Sequence, residues 1–82
     1  MERQLVGKVL HFYPKIGVAV VELSGPLKVG DRIAVEGREP FEQAVSSMQV
    51  EHAAVPAASA GQSVGLKVEG RAHEGDLVYR LA

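Results

Sequence analysis

The chain contains no cysteine, which excludes a disulfide framework and a thiolate metal site and leaves the core to hold the fold without a covalent staple. It also lacks an excess of one charge. Nine Lys and Arg stand against ten Asp and Glu, a formal net charge of −1, whereas most modules that bind duplex nucleic acid carry a conspicuous basic surplus. Any contact with nucleic acid would have to be local and narrow. No apolar run approaches the roughly 18–20 residues of a membrane span, and Met1-Glu2-Arg3-Gln4-Leu5 lacks the layout of a signal peptide. The expectation is a soluble, cytoplasmic protein with no membrane partner.

What the chain has instead is valine. Thirteen of its 82 residues are Val, against two Ile, two Phe and two Tyr, and β-branched side chains favour strands over helices. The length predicts a single domain over residues 1–82, hiding ~60–65% of the surface its unfolded chain exposes. Six strands are legible. Gln4 to Tyr13 is the first, with Gly7 marking a bulge or bend. Ile16 to Leu23 is the strongest, an almost continuous apolar run suited to burial on both faces or a central position. Arg32 to Glu36 is the third. Phe41 to Glu51 alternates, placing Ala44, Ser46, Met48 and Val50 on one face and Val45, Ser47, Gln49 and Glu51 on a solvated one. Gln62 to Glu69 keeps period two, with Val64, Leu66 and Val68 inward and Ser63, Gly65, Lys67 and Glu69 outward. Asp76 to Leu81 is the sixth. Between the fourth and fifth strands, His52 to Gly61 is rich in alanine, but Pro56 and Gly61 leave no room for more than one helical turn, so a loop is expected.

The corners repeat one grammar. Leu27-Lys28-Val29-Gly30-Asp31-Arg32-Ile33, Ala60-Gly61-Gln62-Ser63-Val64 and Glu74-Gly75-Asp76-Leu77-Val78-Tyr79 each set a glycine-centred turn directly before an apolar strand. Glycine supplies the positive φ of a tight reversal, and Asp bonds nearby backbone amides. Short valine-rich strands joined by such corners predict an all-β fold, a small closed six-stranded antiparallel β-barrel, since closure removes sheet edges that invite aggregation.

In order, Gly7-Lys8-Val9, Leu27 to Ile33, Val45-Ser46-Ser47-Met48-Gln49, Ala60-Gly61, Val64-Gly65-Leu66-Lys67-Val68 and Gly75-Asp76-Leu77-Val78-Tyr79 resemble the β-barrel that forms the second domain of translational GTPases such as elongation factor Tu. A related barrel lies at the C-terminus of the U32 peptidase-like family, and the chain is similar to that side of the group too. The resemblance implies the translation-factor barrel fold and contact with RNA or a ribosome-associated protein. It does not carry the GTPase activity. The chain has no Gly-x-x-x-x-Gly-Lys-[Ser/Thr] loop to cradle phosphates, so no GTP binding is expected.

Catalytic signals are sparse. His11, His52 and His73 are the side chains suited to general-base work near neutral pH, but none has a companion at metal-ligand spacing, and solvated surface positions are expected. Ser46-Ser47 lacks a Gly-x-Ser-x-Gly elbow; Ser46 is expected as a small core hydroxyl beside a core Met48. No catalytic residue, metal ligand or cofactor-binding residue is assigned, and independent enzymatic activity is not expected.

The longest connection, His52 to Gln62, together with the turn Arg71-Ala72-His73-Glu74, is the candidate binding surface, because long loops on compact barrels tend to carry binding. Its candidate residues are His52, Ala54, Val55, Lys67, Arg71 and His73, and the bland alternative is a loop that only caps one end of the barrel. Lys8, Lys28, Arg32, Lys67 and Arg71 are the available phosphate partners, and Tyr13, Tyr79 or Phe41 the available stacking platforms. The expected function is a non-catalytic binding module contacting RNA or a ribonucleoprotein. The alternative is a protein–protein adaptor or homo-oligomeric accessory barrel serving a separately encoded enzyme.

Overall fold

The computed structural model describes residues 3–81, and every regular element in them is a strand. No helix is long and apolar enough to cross a membrane. The strands are β1 (Arg3–Tyr13), β2 (Val18–Leu23), β3 (Leu27–Lys28), β4 (Arg32–Glu36), β5 (Phe41–Ala44), β6 (Met48–Val50), β7 (Ala53–Ala54), β8 (Ala57–Ala58), β9 (Ser63–Lys67) and β10 (Leu77–Leu81). Eight of them form one curled antiparallel sheet in the order β5-β4-β10-β1-β2-β9-β6-β7, and β3 pairs with β8 in a small second sheet.

The all-β antiparallel expectation holds, but the closed six-stranded barrel does not. The sheet is open, a half-barrel whose outer strands, β5 and β7, do not pair with each other. The difference begins in the segment expected as one strand from Phe41 to Glu51. The chain leaves its ladder after Ala44 because Val45 is captured by the corner before β4: Val45 N donates to Asp31 O at 2.8 Å, and Gly30 N donates to Val45 O at 2.9 Å. The two halves then serve opposite parts of the sheet, β5 pairing with β4 and β6 with β9.

This bend also resets the faces. Gln43, Val45 and Met48 point into the core, whereas Ala44 and Ser46 are exposed. Ser46 and Ser47 take up two positions between buried Val45 and buried Met48, so a period of two cannot run through them. Ser46 is thus a surface residue rather than a core hydroxyl, and Val45 is core rather than solvated.

Where β5 approaches β9 there is no backbone ladder, and a side chain fills the gap. Gln43 Nε2 donates to Lys67 O at 2.9 Å, and Glu69 N donates to Gln43 Oε1 at 2.7 Å. These are the carbonyl and amide that flank Val68, the pair a neighbouring parallel strand would engage. The Gln43 amide therefore stands in for a missing peptide unit, with the residue only 5% exposed.

Other expectations are met locally. The register of β1 against β10 shifts between Leu5 and Gly7, the bulge that Gly7 marked, and a second shift against β2 falls between Val9 and His11. Two bulges in one strand strengthen its twist and help curl the sheet. Val64, Leu66 and Val68 join Val6, Val9, Val21, Ile33, Val35, Met48 and Val78 in the core. Gly30, Gly61 and Gly75 have φ of 98°, 91° and 91°, and the aspartates bond as the corner grammar requires. Lys28 N donates to Asp31 Oδ2 at 3.1 Å and His73 N to Asp76 Oδ2 at 2.9 Å.

The alanine-rich segment is laced to the body rather than free of structure. Ala53–Ala54 pairs with β6 and Ala57–Ala58 with β3, Val29 N donates to Pro56 O at 3.0 Å, and Ala58 is buried.

Candidate functional site

The outer face of the sheet carries a groove of about 490 Å³ where β1, β2, β9 and β6 lie side by side. It is lined by Tyr13, Ile16, Val18, Val20, Ser63 and Gly65, with Gln49, Glu51 and His52 on the far rim. The alternation of β2 produces the near wall. Ala19, Val21 and Leu23 turn inward and are buried, which forces Val18 and Val20 outward, where they remain half-exposed. Opposite them on β1, Tyr13 pairs with Val18 and His11 with Val20, and the His11 and Tyr13 rings meet edge to face, 4.4 Å apart. Tyr13 is 47% and Ile16 58% exposed. The floor is Gly65, which pairs with Val20 on one side and Gln49 on the other.

The far rim is a two-residue hairpin between Val50 and Ala53. Its central residues, Glu51 and His52, have φ of 51° and 66°. Hairpin turns with positive φ at both positions ordinarily use Asn-Gly or Gly-Gly, so two residues with full side chains hold strained backbone here. That strain presents Glu51 and His52 at the groove edge.

A second, shallower groove of about 370 Å³ lies on the other side of the β1 end, lined by Phe12, Pro14, Arg71, Ala72, His73 and Glu74. Its histidine and its one acid, Glu74, are both engaged. His73 Nε2 lies 2.9 Å from Glu39 Oε2, and His11 Nδ1 lies 3.0 Å from Glu74 Oε2. Arg71 has no ion-pair partner among the described residues.

The six residues chosen from sequence are thus divided. His52 lines the larger groove; Arg71 and His73 line the smaller one. Lys67 stands at the Ile16 end of the larger groove, its Nζ donating to Ile16 O at 2.7 Å. Ala54 is an exposed edge residue paired with Gln49, and Val55 packs half-buried against the core. Neither lines a groove. Sequence reasoning named Tyr13 only as a stacking platform and passed over Ile16, Val18 and Val20 as a surface, although the almost continuous apolar run from Ile16 to Leu23 was its visible trace. Among the described residues, no three His, Asp or Glu side chains gather as a group able to hold a metal ion.

No family model matches the chain. Over 78 residues, 93% of its length, it is 42% identical to an uncharacterized protease of Methanocaldococcus jannaschii, and it spans about a fifth of that protein, 19%. It also matches the crystal structure of the C-terminal domain of a Geobacillus thermoleovorans protein designated a U32 peptidase, with a TM-score of 0.89 and 24% identity over 96% of this chain and 93% of that domain. The selenomethionine variant of the same domain gives a TM-score of 0.87 and 25% identity over 92% of this chain and 96% of that domain. The chain thus has the fold of these C-terminal domains, the second of the two resemblances drawn from its sequence.

Proposed function

We propose that the chain is a non-catalytic accessory half-barrel that docks onto a larger peptidase-like protein body through the outer groove of β2 and β9. The observation that carries this reading is the mismatch along Val18–Val21. Every position of that stretch of β2 is apolar, the pattern of a strand buried on both faces, yet its own chain covers only the inner face, leaving Val18 and Val20 open beside Tyr13 and the turn residue Ile16. The similarity to a segment making up 19% of a protease, and to C-terminal domains of a U32 peptidase, supports a larger body as the partner.

The test is affinity capture from the protein's own lysate with the wild type and a Tyr13→Ser/Ile16→Ser double variant. Recovery at moderate salt of a peptidase-like polypeptide that the variant loses supports docking by apolar contact, which salt does not weaken. Equal recovery by both proteins sinks the assignment to this groove.

The second reading is contact with RNA or a ribonucleoprotein, in keeping with the translation-factor resemblance. It is favoured by Arg71, whose guanidinium has no ion-pair partner among the described residues and lines the smaller groove with Phe12. Two other expected phosphate partners are already engaged, Arg32 with Glu42 at 3.7 Å and Lys67 with the Ile16 carbonyl. Ribonuclease-sensitive recovery that falls steeply with salt is the result this reading requires.

A further inference from the structure

We infer that the outer groove takes an extended peptide segment which lays aliphatic side chains over Gly65 and sets a Lys or Arg against Glu51. The inference rests on the docking reading and specifies what the docked protein presents.

Gly65 is a glycine in the interior of a strand, which weakens the strand and commonly marks close approach of another chain. A Cβ placed on it would lie 3.3 Å from Val18 Cγ1, so the missing side chain is what keeps the groove open beside the leaning Val18. Tyr13, Ile16, Val18 and Val20 make the rest of that end apolar. An aliphatic side chain fits this notch, and a charged one would lose hydration there without gaining a partner.

The opposite end carries the complementary signal. Glu51 is the one carboxylate lining the groove, and it has no ion-pair partner among the described residues. The nearby Glu22, outward on β2 across the β1–β2 ladder from Lys8, does not line the groove. Lys67 is spent on the Ile16 carbonyl at the far end. The groove thus runs from an apolar notch to a single lining carboxylate, with Gln49 and Ser63 beside it to bond a peptide backbone.

The spacing sets the pattern of the ligand. Glu51 follows Gln49 by two residues, and Gln49 pairs with Gly65. An extended chain advances ~3.3 Å per residue and turns alternate side chains to the same face. A segment with aliphatic residues at i and i+2 and a cation at i+4 matches that order.

The probe is a blocked peptide, acetyl-Ser-Leu-Ser-Leu-Ser-Lys-Ser-amide, titrated into the ¹⁵N-labelled protein at low salt beside its Lys→Glu counterpart. The expected result is shifts of the Val18, Val20 and Gly65 amides, with the Lys peptide binding about threefold tighter, the scale of one exposed ion pair. Glu51→Lys should reverse that preference. As an exposed turn residue it does not test core packing, and Gly65→Ala should weaken both peptides. Equal binding of both peptides in the groove overturns the charge assignment but leaves docking intact. Shifts that map elsewhere, or none, overturn the peptide inference. The double variant in the capture experiment then decides independently whether the groove docks a folded surface.

Discussion

Replacing Gln43 should damage this protein more than any exposed polar substitution, because one side chain bridges the open edge of the sheet to β9. Gln43→Leu keeps the approximate volume and the burial but removes the amide. Lys67 O loses its donor at 2.9 Å and Glu69 N its acceptor at 2.7 Å. Two net hydrogen bonds contribute about 0.5–1.5 kcal/mol each, and leaving partly buried backbone groups unpaired costs more than the bonds were worth. Lys67 and Glu69 lie in exposed positions, so water recovers part of that loss, and a total of about 2–3 kcal/mol is expected. In a domain of this size, that corresponds to a fall in Tm of roughly 10–20 °C. Gln43→Glu should be worse. One carboxylate oxygen still accepts from Glu69 N, but the other confronts the Lys67 carbonyl with no proton between them. Thermal or urea unfolding gives the ranking, and hydrogen exchange at the Glu69 amide gives the location, since that proton is held by Gln43 alone. An unchanged Tm in Gln43→Leu with full protection at Glu69 would refute the view that this side chain closes the seam.

Three further outcomes follow from local geometry. Gly30→Val should lower stability by about 1–3 kcal/mol through its φ of 98° alone, since nothing lies within 4 Å of the added Cβ and a β-branched residue fits that region poorly; an unchanged Tm would remove the strain argument. Lys67→Glu should leave cooperative unfolding intact at a cost below about 1 kcal/mol, because the residue is exposed and gives up only its bond to the Ile16 carbonyl; loss of a cooperative transition in urea would mean that Lys67 matters to the core. Replacing Glu51-His52 with Asn-Gly should raise stability by about 1–2 kcal/mol, because these residues tolerate the positive φ that the turn holds at both positions. The same change should weaken capture of the docked partner, and a variant that gains stability while binding unchanged would show that this rim has no binding role.

How much of the molecule was legible depended on the distance over which each feature is decided. The alternation of Val64, Leu66 and Val68 and the positive φ of Gly30, Gly61 and Gly75 are local, and reading neighbours in the chain was enough to find them. The bend at Val45 is not local. It is imposed by Asp31 and Gly30, fourteen and fifteen positions earlier, and no pattern within Phe41–Glu51 betrays it. Gln43 looks like an ordinary polar strand residue until Lys67 and Glu69 are placed beside it, 24 and 26 residues on. The candidate surface read from the sequence reached the larger groove only at His52, for a related reason. Loop length drew attention to Ala53–Ala58, whose backbone turned out to be spent on pairing with β6 and β3. The larger groove needed four strands in register before it existed.

The strand Val18–Leu23 is what sets the proposed docking groove apart from scattered exposed residues. Single exposed apolar residues are normal and need no explanation. Here the apolar outward positions are grouped: Val18 and Val20 point outward at one end of β2 and line the groove, whereas Glu22, outward at the other end, does not. A strand with one solvated face commonly alternates, with polar residues outward. Tyr13 is set opposite Val18 and Ile16 lies just before it, both with about half their surface open. The cross-strand neighbour that would have filled the space between Val20 and Gln49 is a glycine. Packing of the chain's own core requires none of these choices, since Ala19, Val21 and Leu23 already supply the inward face. An apolar wall, an empty floor and a strained, charged rim at one place on the sheet are the features on which the proposed docking rests.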